Sequence, residues 1–176
     1  MTIRKLHLYT GEGKGKTTAA MGLALRSLGH GRSVFVAQFM KDGRSGELAA
    51  LSQLPGAAVY VARPMEKFVF RMTQEERARA ALEQNAQAME LTQRILRERP
   101  DLTVLDELAI AADMGMVGEA EARALIGAAL ESGECAVTGR YAPDWMREMA
   151  DYVSVITPQK HPYETEKLMA RKGIEW

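Results

Sequence analysis

A single cysteine, Cys135, stands in 176 residues, so the chain can close no disulfide on itself and build no cysteine-rich zinc site. It lies in the apolar run Cys135-Ala136-Val137 and reads as a small core residue, in a chain suited to a reducing cytoplasm. Excess charge of either sign is also missing: 23 Lys+Arg face 23 Asp+Glu. No net field then favours a nucleic acid or an anionic membrane, and neither is expected as a partner. No apolar run approaches a membrane span, and Met1-Thr2-Ile3-Arg4-Lys5 carries charge with no apolar stretch behind it, so no signal peptide is expected. Aromatics are sparse at 6%, and no repeat or low-complexity tract stands out. What remains is ordinary globular stock, 47% hydrophobic and 26% charged. Residues 1–176 suit one domain that buries a core without staples.

Against this plain background one stretch carries dense information: Gly11-Glu12-Gly13-Lys14-Gly15-Lys16-Thr17-Thr18. The alternating segment Lys5-Leu6-His7-Leu8-Tyr9 precedes it, and Ala19-Ala20-Met21-Gly22-Leu23-Ala24-Leu25-Arg26 follows. Strand, glycine-rich turn and helix in that order are what a phosphate-binding loop needs. Glycines let the backbone turn tightly with N–H groups inward, and the helix from Lys16 adds free amides and the positive end of its dipole. Lys16 can reach phosphate oxygens, and the Thr17 hydroxyl can ligate magnesium. Thr10 stands where the common motif has its first glycine. Lys14 reads equally as a further phosphate contact or as a solvated turn lysine.

The rest of the chain alternates strands with helices. A first strand spans about Arg4 to Tyr9, and the helix from Lys16 to Leu28 stops at Gly29-His30-Gly31, where glycine supports a left-handed cap. Ser33 to Phe39 is apolar enough for a strand covered on both faces. The polar loop Met40 to Gly46 leaves its carboxyl end, the edge at which open α/β sheets bind ligands. Further elements are a helix Glu47–Leu54, a strand Ala57–Val61 and a long helix opened by Thr73 and Glu76 in capping-box spacing. Ala78, Leu82, Met89 and Leu96 are expected to form that helix's core stripe, interrupted by Asn85 and Thr92. A strand at Leu102–Leu105, helices near Ala109–Met114 and Glu119–Glu131, a strand Glu134–Thr138, a helix Asp144–Met149 and a last strand Tyr152–Ile156 complete the pattern. The tail from Thr157 reads as irregular with one helical turn. The fold class is α/β: a P-loop NTPase-like (RecA-like) fold with a mainly parallel sheet and helices on both faces.

Asp106 and Glu107 end the strand Leu102–Leu105 in a Walker-B arrangement, where a carboxylate faces the phosphate loop and holds magnesium directly or through water. Consecutive carboxylates cannot both point inward from a regular strand, so which of the two touches the ion stays open. Arg140, after the strand Glu134–Thr138, reaches the same sheet edge and suits a phosphate or carboxylate clamp as well as a surface ion pair. Lys160-His161 in a proline-flanked loop reads either as a substrate contact or as loop polarity. Phe68 and Phe70, at alternating positions, would share a face if extended, with core packing as their default.

Taken together, these segments resemble the P-loop type of ATP:corrinoid adenosyltransferase. The likeness runs through Gly11–Ala20, Gly29-His30-Gly31, Val36-Ala37-Gln38-Phe39, Gly46-Glu47, Val104-Leu105-Asp106-Glu107, Thr138-Gly139-Arg140, Ala150-Asp151, Lys160-His161-Pro162 and Lys172-Gly173-Ile174-Glu175-Trp176. The family's loop also lacks the first glycine of the common motif, which accounts for Thr10. The resemblance implies that the 5′-deoxyadenosyl group of ATP passes to the Co(I) centre of a corrinoid, cobalamin or cob(I)yrinic acid a,c-diamide, with tripolyphosphate released. It implies ATP binding by Gly11 to Thr18 and Arg140, catalytic roles for Lys16, Thr17 and Glu107, and Mg2+ or Mn2+ held by Thr17, Asp106 and Glu107. Phe68, Phe70, Lys160 and His161 would face the corrinoid. A cytoplasmic homodimer served by an electron-donating reductase is implied as well. Two departures are visible: some members have a helix ahead of the first strand, and members often show Phe-x-Trp where this chain has Phe68-Val69-Phe70.

Two other classes fit a phosphate loop. A small-molecule kinase would want an arginine-rich lid, for which no stretch is an obvious candidate, and a thymidine-kinase-like enzyme would want the zinc site that one cysteine excludes. A non-enzymatic ATP sensor would not need Thr138-Gly139-Arg140 or Lys160-His161.

Overall fold

The computed structural model describes residues 3–41, 45–61 and 69–174. Six strands form one all-parallel sheet: β1 (Leu6–Thr10), β2 (Val34–Gln38), β3 (Ala57–Val61), β4 (Leu102–Asp106), β5 (Glu134–Thr138) and β6 (Tyr152–Val155), in the order β3-β2-β4-β5-β1-β6. Helices α1 (Lys16–Gly29), α2 (Gly46–Leu51), α3 (Gln74–Glu98), α4 (Leu108–Asp113), α5 (Glu119–Ser132), α6 (Asp144–Met149) and α7 (Pro162–Glu166) connect and follow them. This is the α/β, P-loop NTPase-like architecture that the alternating pattern implies. Parallel neighbours require crossovers, and the helices supply them.

The central strands are apolar throughout because both of their faces are covered. Every residue of β2 and β4 is buried. On one face α1 and α2 pack Ala20, Met21, Ala24, Leu48 and Leu51 against Val34, Val36, Val104 and Ala136. On the other, α3, α4 and α5 bring Leu91, Ile95, Leu108, Leu125 and Ile126 onto Phe35, Leu105 and Val137. Cys135 is fully buried there, and burial pushes its thiol well above the ordinary range, as a core residue requires.

One local expectation, the core stripe of α3, needs correction. The buried face of α3 is Gln84, Gln87, Ala88, Leu91 and Ile95, whereas Leu82 is 73% and Met89 63% exposed. Asn85 and Thr92, expected to interrupt the core stripe, lie at its edge: Asn85 Oδ1 accepts the Gly118 N–H at 2.7 Å, and the Thr92 hydroxyl donates to the Ala88 carbonyl. After α1 the left-handed glycine expected within Gly29-His30-Gly31 is Gly31, at φ 72°. All of β6 is exposed despite its apolar Tyr152, Val153 and Val155, because it is the sheet edge beyond β1. The capping box at Thr73 and Glu76 forms as expected. Among the described residues no helix is long and apolar enough to cross a membrane.

Candidate functional site

β1 delivers the chain to the carboxyl edge of the sheet, where Gly11 to Gly15 turn it into α1. Gly11 adopts φ 100° with the Ile156 backbone so close that a Cβ would collide with its carbonyl. At Gly13 a Cβ would lie 2.9 Å from Ile156 Cγ2. Glycine is therefore required here by a close approach, not only by a turn. The Gly13 N–H donates to the Ile156 carbonyl at 2.8 Å, so this amide faces the chain after β6 and does not join the inward-pointing set expected of the loop. Gly15, φ 114°, starts α1 without a side-chain cap, which leaves the first amides of the helix for an anion.

Lys16 folds back over the loop, and its ammonium donates to the carbonyls of Gly11 and Gly13, each at 2.7 Å. Burial lowers its pKa, and the nearby Arg140 charge adds to that. The loop is thus cross-braced by the side chain that a phosphate would engage.

Next to it stands a cluster built on the end of β4. Asp106 is fully buried, and its carboxylate accepts from four side chains. The hydroxyls of Thr17 (2.8 Å) and Thr138 (2.7 Å) donate to Oδ1; the Gln38 amide (2.8 Å) and the Lys41 ammonium (2.9 Å) donate to Oδ2. Burial alone would lift this carboxyl, but the Lys41 charge and the donors of Lys41, Gln38 and Thr138 hold it below the usual value. Lys41 shows the converse: burial opposes its charge, and Asp106 with Glu107 outweighs burial and raises its pKa. For Glu107, burial wins over the Lys41 charge, and its carboxyl is raised.

Strand geometry alone would have separated Asp106 and Glu107. The strand ends at Asp106, and Glu107 takes φ 61°, so the chain turns and both carboxylates approach one cation: Lys41 Nζ lies 3.6 Å from Glu107 Oε1. The Glu107 N–H donates to the Thr138 hydroxyl at 2.9 Å, which fixes that turn. Met40 after β2 (φ 59°) and Tyr141 after β5 (φ 52°) are left-handed as well. Such residues are costly and tend to gather at functional sites; three of them follow three neighbouring strands at this one edge.

The other expected residues distribute unevenly. Arg140 does lie beside the phosphate loop, its guanidinium 3.6 Å from the Glu12 carboxylate, and the Tyr141 hydroxyl also bonds Glu12. Lys14 and Thr18 are exposed at the loop and on the first turn of α1. Phe70 is 71% exposed on the 3-10 turn Val69–Arg71, with the Arg71 guanidinium 5.6 Å over its ring. It is Val69 that enters the core, so Phe70 is no core residue and the segment is not extended. Phe68 lies outside the described residues. Lys160 is exposed between β6 and α7, and His161 caps α7, its Nδ1 accepting the Tyr163 N–H. Sequence reading missed Gln38, Lys41, Thr138 as a carboxylate partner, and Ile156. Only Gln38 and Thr138 carried a signal, as polar residues closing otherwise apolar strands.

The donor set suits a divalent ion. Thr17, Asp106 and Glu107 already surround a positive charge, the Lys41 ammonium, which marks the position as cation-binding. Among the described residues no three His, Cys, Asp or Glu side chains could hold a metal by themselves. An ion here would complete its shell with phosphate oxygens and water, as magnesium at nucleotide sites does.

Comparison with known proteins identifies the family of the chain. The model of the family ATP:corrinoid adenosyltransferase BtuR/CobO/CobP matches residues 4–176. A corrinoid adenosyltransferase of Pseudomonas aeruginosa is 35% identical over 174 residues, covering 97% of this chain and 83% of that protein. The corrinoid adenosyltransferase CobA of Salmonella typhimurium is 31% identical over 172 residues, covering 96% and 84%, and one from a Sinorhizobium species is 31% identical over 170 residues, covering 95% and 78%. With a match this long over phosphate loop, carboxylate strand and tail together, the chain belongs to the ATP:corrinoid adenosyltransferase family.

Proposed function

We propose that this protein transfers the 5′-deoxyadenosyl group of ATP to the Co(I) centre of a corrinoid, with residues 1–176 acting as one domain. The cobalt electron pair attacks the 5′ carbon, a cobalt–carbon bond forms, and the carbon–oxygen bond breaks with its electrons leaving on tripolyphosphate. The observation that carries the reading is the juxtaposition of Lys16, the uncapped start of α1 and the Thr17–Asp106–Glu107 oxygens at one sheet edge, in a chain of this family.

Each residue then has work that follows from its place. The first amides of α1 and the Lys16 ammonium hold the phosphates and stabilise the charge that grows on the leaving group. Thr17 donates its proton to Asp106, which leaves an oxygen lone pair directed at a cation. Thr17, Asp106 and Glu107 would hold Mg2+ or Mn2+, and that ion would neutralise the departing phosphates. Arg140, beside Glu12, has the reach and planar donors to clamp a phosphate. Phe70 offers an exposed ring to an apolar, planar substrate, and Phe68, Lys160 and His161 would contact the same substrate. The nucleophile belongs to the corrinoid, so the protein needs no general base; its contribution is position and exclusion of water. Cobalt must arrive as Co(I), which calls for an electron-donating reductase in the cytoplasm. A homodimer belongs to the same reading.

The test is anaerobic: protein, ATP, magnesium and chemically reduced cobalamin, with the Co(I) absorbance and the phosphate products followed together. A light-sensitive alkylcobalamin with tripolyphosphate is the expected result. ADP or orthophosphate without alkylation would overturn the proposal in favour of a kinase or ATPase.

A further inference from the structure

One charged side chain of the cluster has no part in that scheme. Lys41 Nζ lies 3.3 Å from Thr17 Oγ1, 2.9 Å from Asp106 Oδ2 and 3.6 Å from Glu107 Oε1. These are the oxygens the protein offers to a divalent ion, and the ammonium stands among all of them. A metal bound to Thr17 and the two carboxylates would need the same space and would meet a like charge at contact distance. Building on the metal–nucleotide reading above, we propose that Lys41 is the resident counter-ion of the site: its ammonium holds the cation position until a metal–triphosphate complex displaces it.

The local structure is arranged for that position. The Phe39 N–H still bonds the Asp106 carbonyl, at 2.9 Å, so the chain hugs β4 to this point. Met40 then takes φ 59°, an unfavourable backbone for an L-residue, and turns Lys41 back over the carboxylates. A buried, ionised Asp106 needs a cation whenever no metal is there, because an unpaired buried charge is strongly disfavoured. The side chain is equally suited to leave. It is 33% exposed, it opens the loop between β2 and α2, and it carries a compact ammonium on a flexible stem in place of a bidentate guanidinium fork. Bare metal would then bind poorly, since its carboxylates are already matched. Metal bound to a triphosphate competes well, because the phosphates add the Lys16 and α1 contacts and give the expelled ammonium a new anion. Metal and nucleotide would therefore load together.

Manganese binding to the full-length, nucleotide-free protein, read by electron paramagnetic resonance, tests this beside thermal melts. If Lys41 vacates the site in about one molecule in ten, Lys41→Met should bind bare Mn2+ about tenfold more tightly than wild type. Lys41→Arg, which keeps the charge and adds a bidentate fork, should bind bare Mn2+ no more tightly than wild type. Without metal, Lys41→Met should melt lower than wild type, and Mn2+ should raise its melting temperature by the larger amount. If that variant does not fold alone, recovery of its fold by Mn2+ supports the proposal and failure to recover overturns it. Equal or weaker Mn2+ binding by folded Lys41→Met also overturns it. Binding of Mn2+–ATP separates the two claims. A wild type that does not bind the complex defeats the site reading, whereas complex binding by both proteins with equal bare Mn2+ affinity defeats only the role of Lys41.

Discussion

Thr138→Val isolates the hydrogen bonds that hold the acidic cluster in shape. Thr138 is fully buried at the end of β5. Its hydroxyl donates to Asp106 Oδ1 at 2.7 Å and accepts the Glu107 N–H at 2.9 Å. Valine keeps the branched shape but supplies neither bond, so the exchange is not conservative. A hydrogen bond to a charged group contributes about 1.5–3 kcal/mol, and an orphaned buried donor costs about 1–3 kcal/mol. Asp106 Oδ1 keeps its Thr17 donor, and the Glu107 amide is only partly buried, so both contributions fall toward the low end. We expect a loss of about 3 kcal/mol in denaturant unfolding at neutral pH. That corresponds to a melting temperature lower by about 6–12 °C for a chain of this size. Thr138→Ser keeps the hydroxyl and loses one methyl group, and should fall by only about 1 kcal/mol. Metal–nucleotide binding should weaken in the valine variant and persist in the serine one, because the turn at Glu107 loses its anchor only in the former. A valine variant within 1 kcal/mol of wild type, or a serine variant that falls as far as valine, would refute this account of the cluster.

Other perturbations probe separate links. Lys16→Ala should abolish adenosyl transfer with the far-ultraviolet circular dichroism unchanged; full activity would remove Lys16 from the phosphate site. Phe70→Ala should impair transfer more than ATP binding, and because the ring is 71% exposed the melt should hardly move; an equal loss in both would tie Phe70 to the nucleotide instead. Gly22 sits exposed in α1 with open space where a Cβ would be, so Gly22→Ala should stabilise by about 0.5–1 kcal/mol, whereas Gly11→Ala should abolish nucleotide binding. Asp101 accepts from the Ser33 N–H at 2.8 Å and its hydroxyl at 2.9 Å, and the backbone bond above all lowers its pKa. Its contribution is therefore complete above the ordinary aspartate pKa of about 3.9 and disappears as pH falls through the lower folded value. The stability gap between wild type and Asp101→Asn should accordingly close in acid, and a gap that widens there would contradict the assignment.

The phosphate loop was legible because its chemistry is local: strand, glycines, lysine, hydroxyl and helix are contiguous in the chain. Asp106 and Glu107 were legible as a pair at a strand end, but their convergence was not, because it depends on a left-handed Glu107 that no residue type announces. Lys41 was invisible for the same reason. It reaches Asp106 only through the pairing of β2 with β4 and the turn at Met40. In α3 apolar count misled. Leu82 and Met89 make the more hydrophobic-looking stripe, yet the helix buries Gln84 and Gln87, whose side chains bond each other at 3.4 Å, because α5 packs on that side. Phe70 failed in the opposite sense: an aromatic defaults to the core, while here its smaller neighbour Val69 fills that place.

The order of the sheet bears on how the protein is made. β1, which carries the phosphate loop, pairs only with β5 and β6, and the Leu6 N–H donates to Asp151 across 145 residues of chain. As synthesis proceeds, β2, β3 and β4 can pair among themselves while β1 has no neighbour. At about 5–20 residues per second, the end of the nascent chain that carries the glycine loop waits roughly 7–30 s for its partners. A strand with two open edges and one apolar face is exposed throughout that interval. The Gly11–Gly15 turn, which rests on Ile156, is assembled last, so a nucleotide bound there would act only late in folding, and slower translation beyond β4 should lengthen the period in which the chain depends on chaperones.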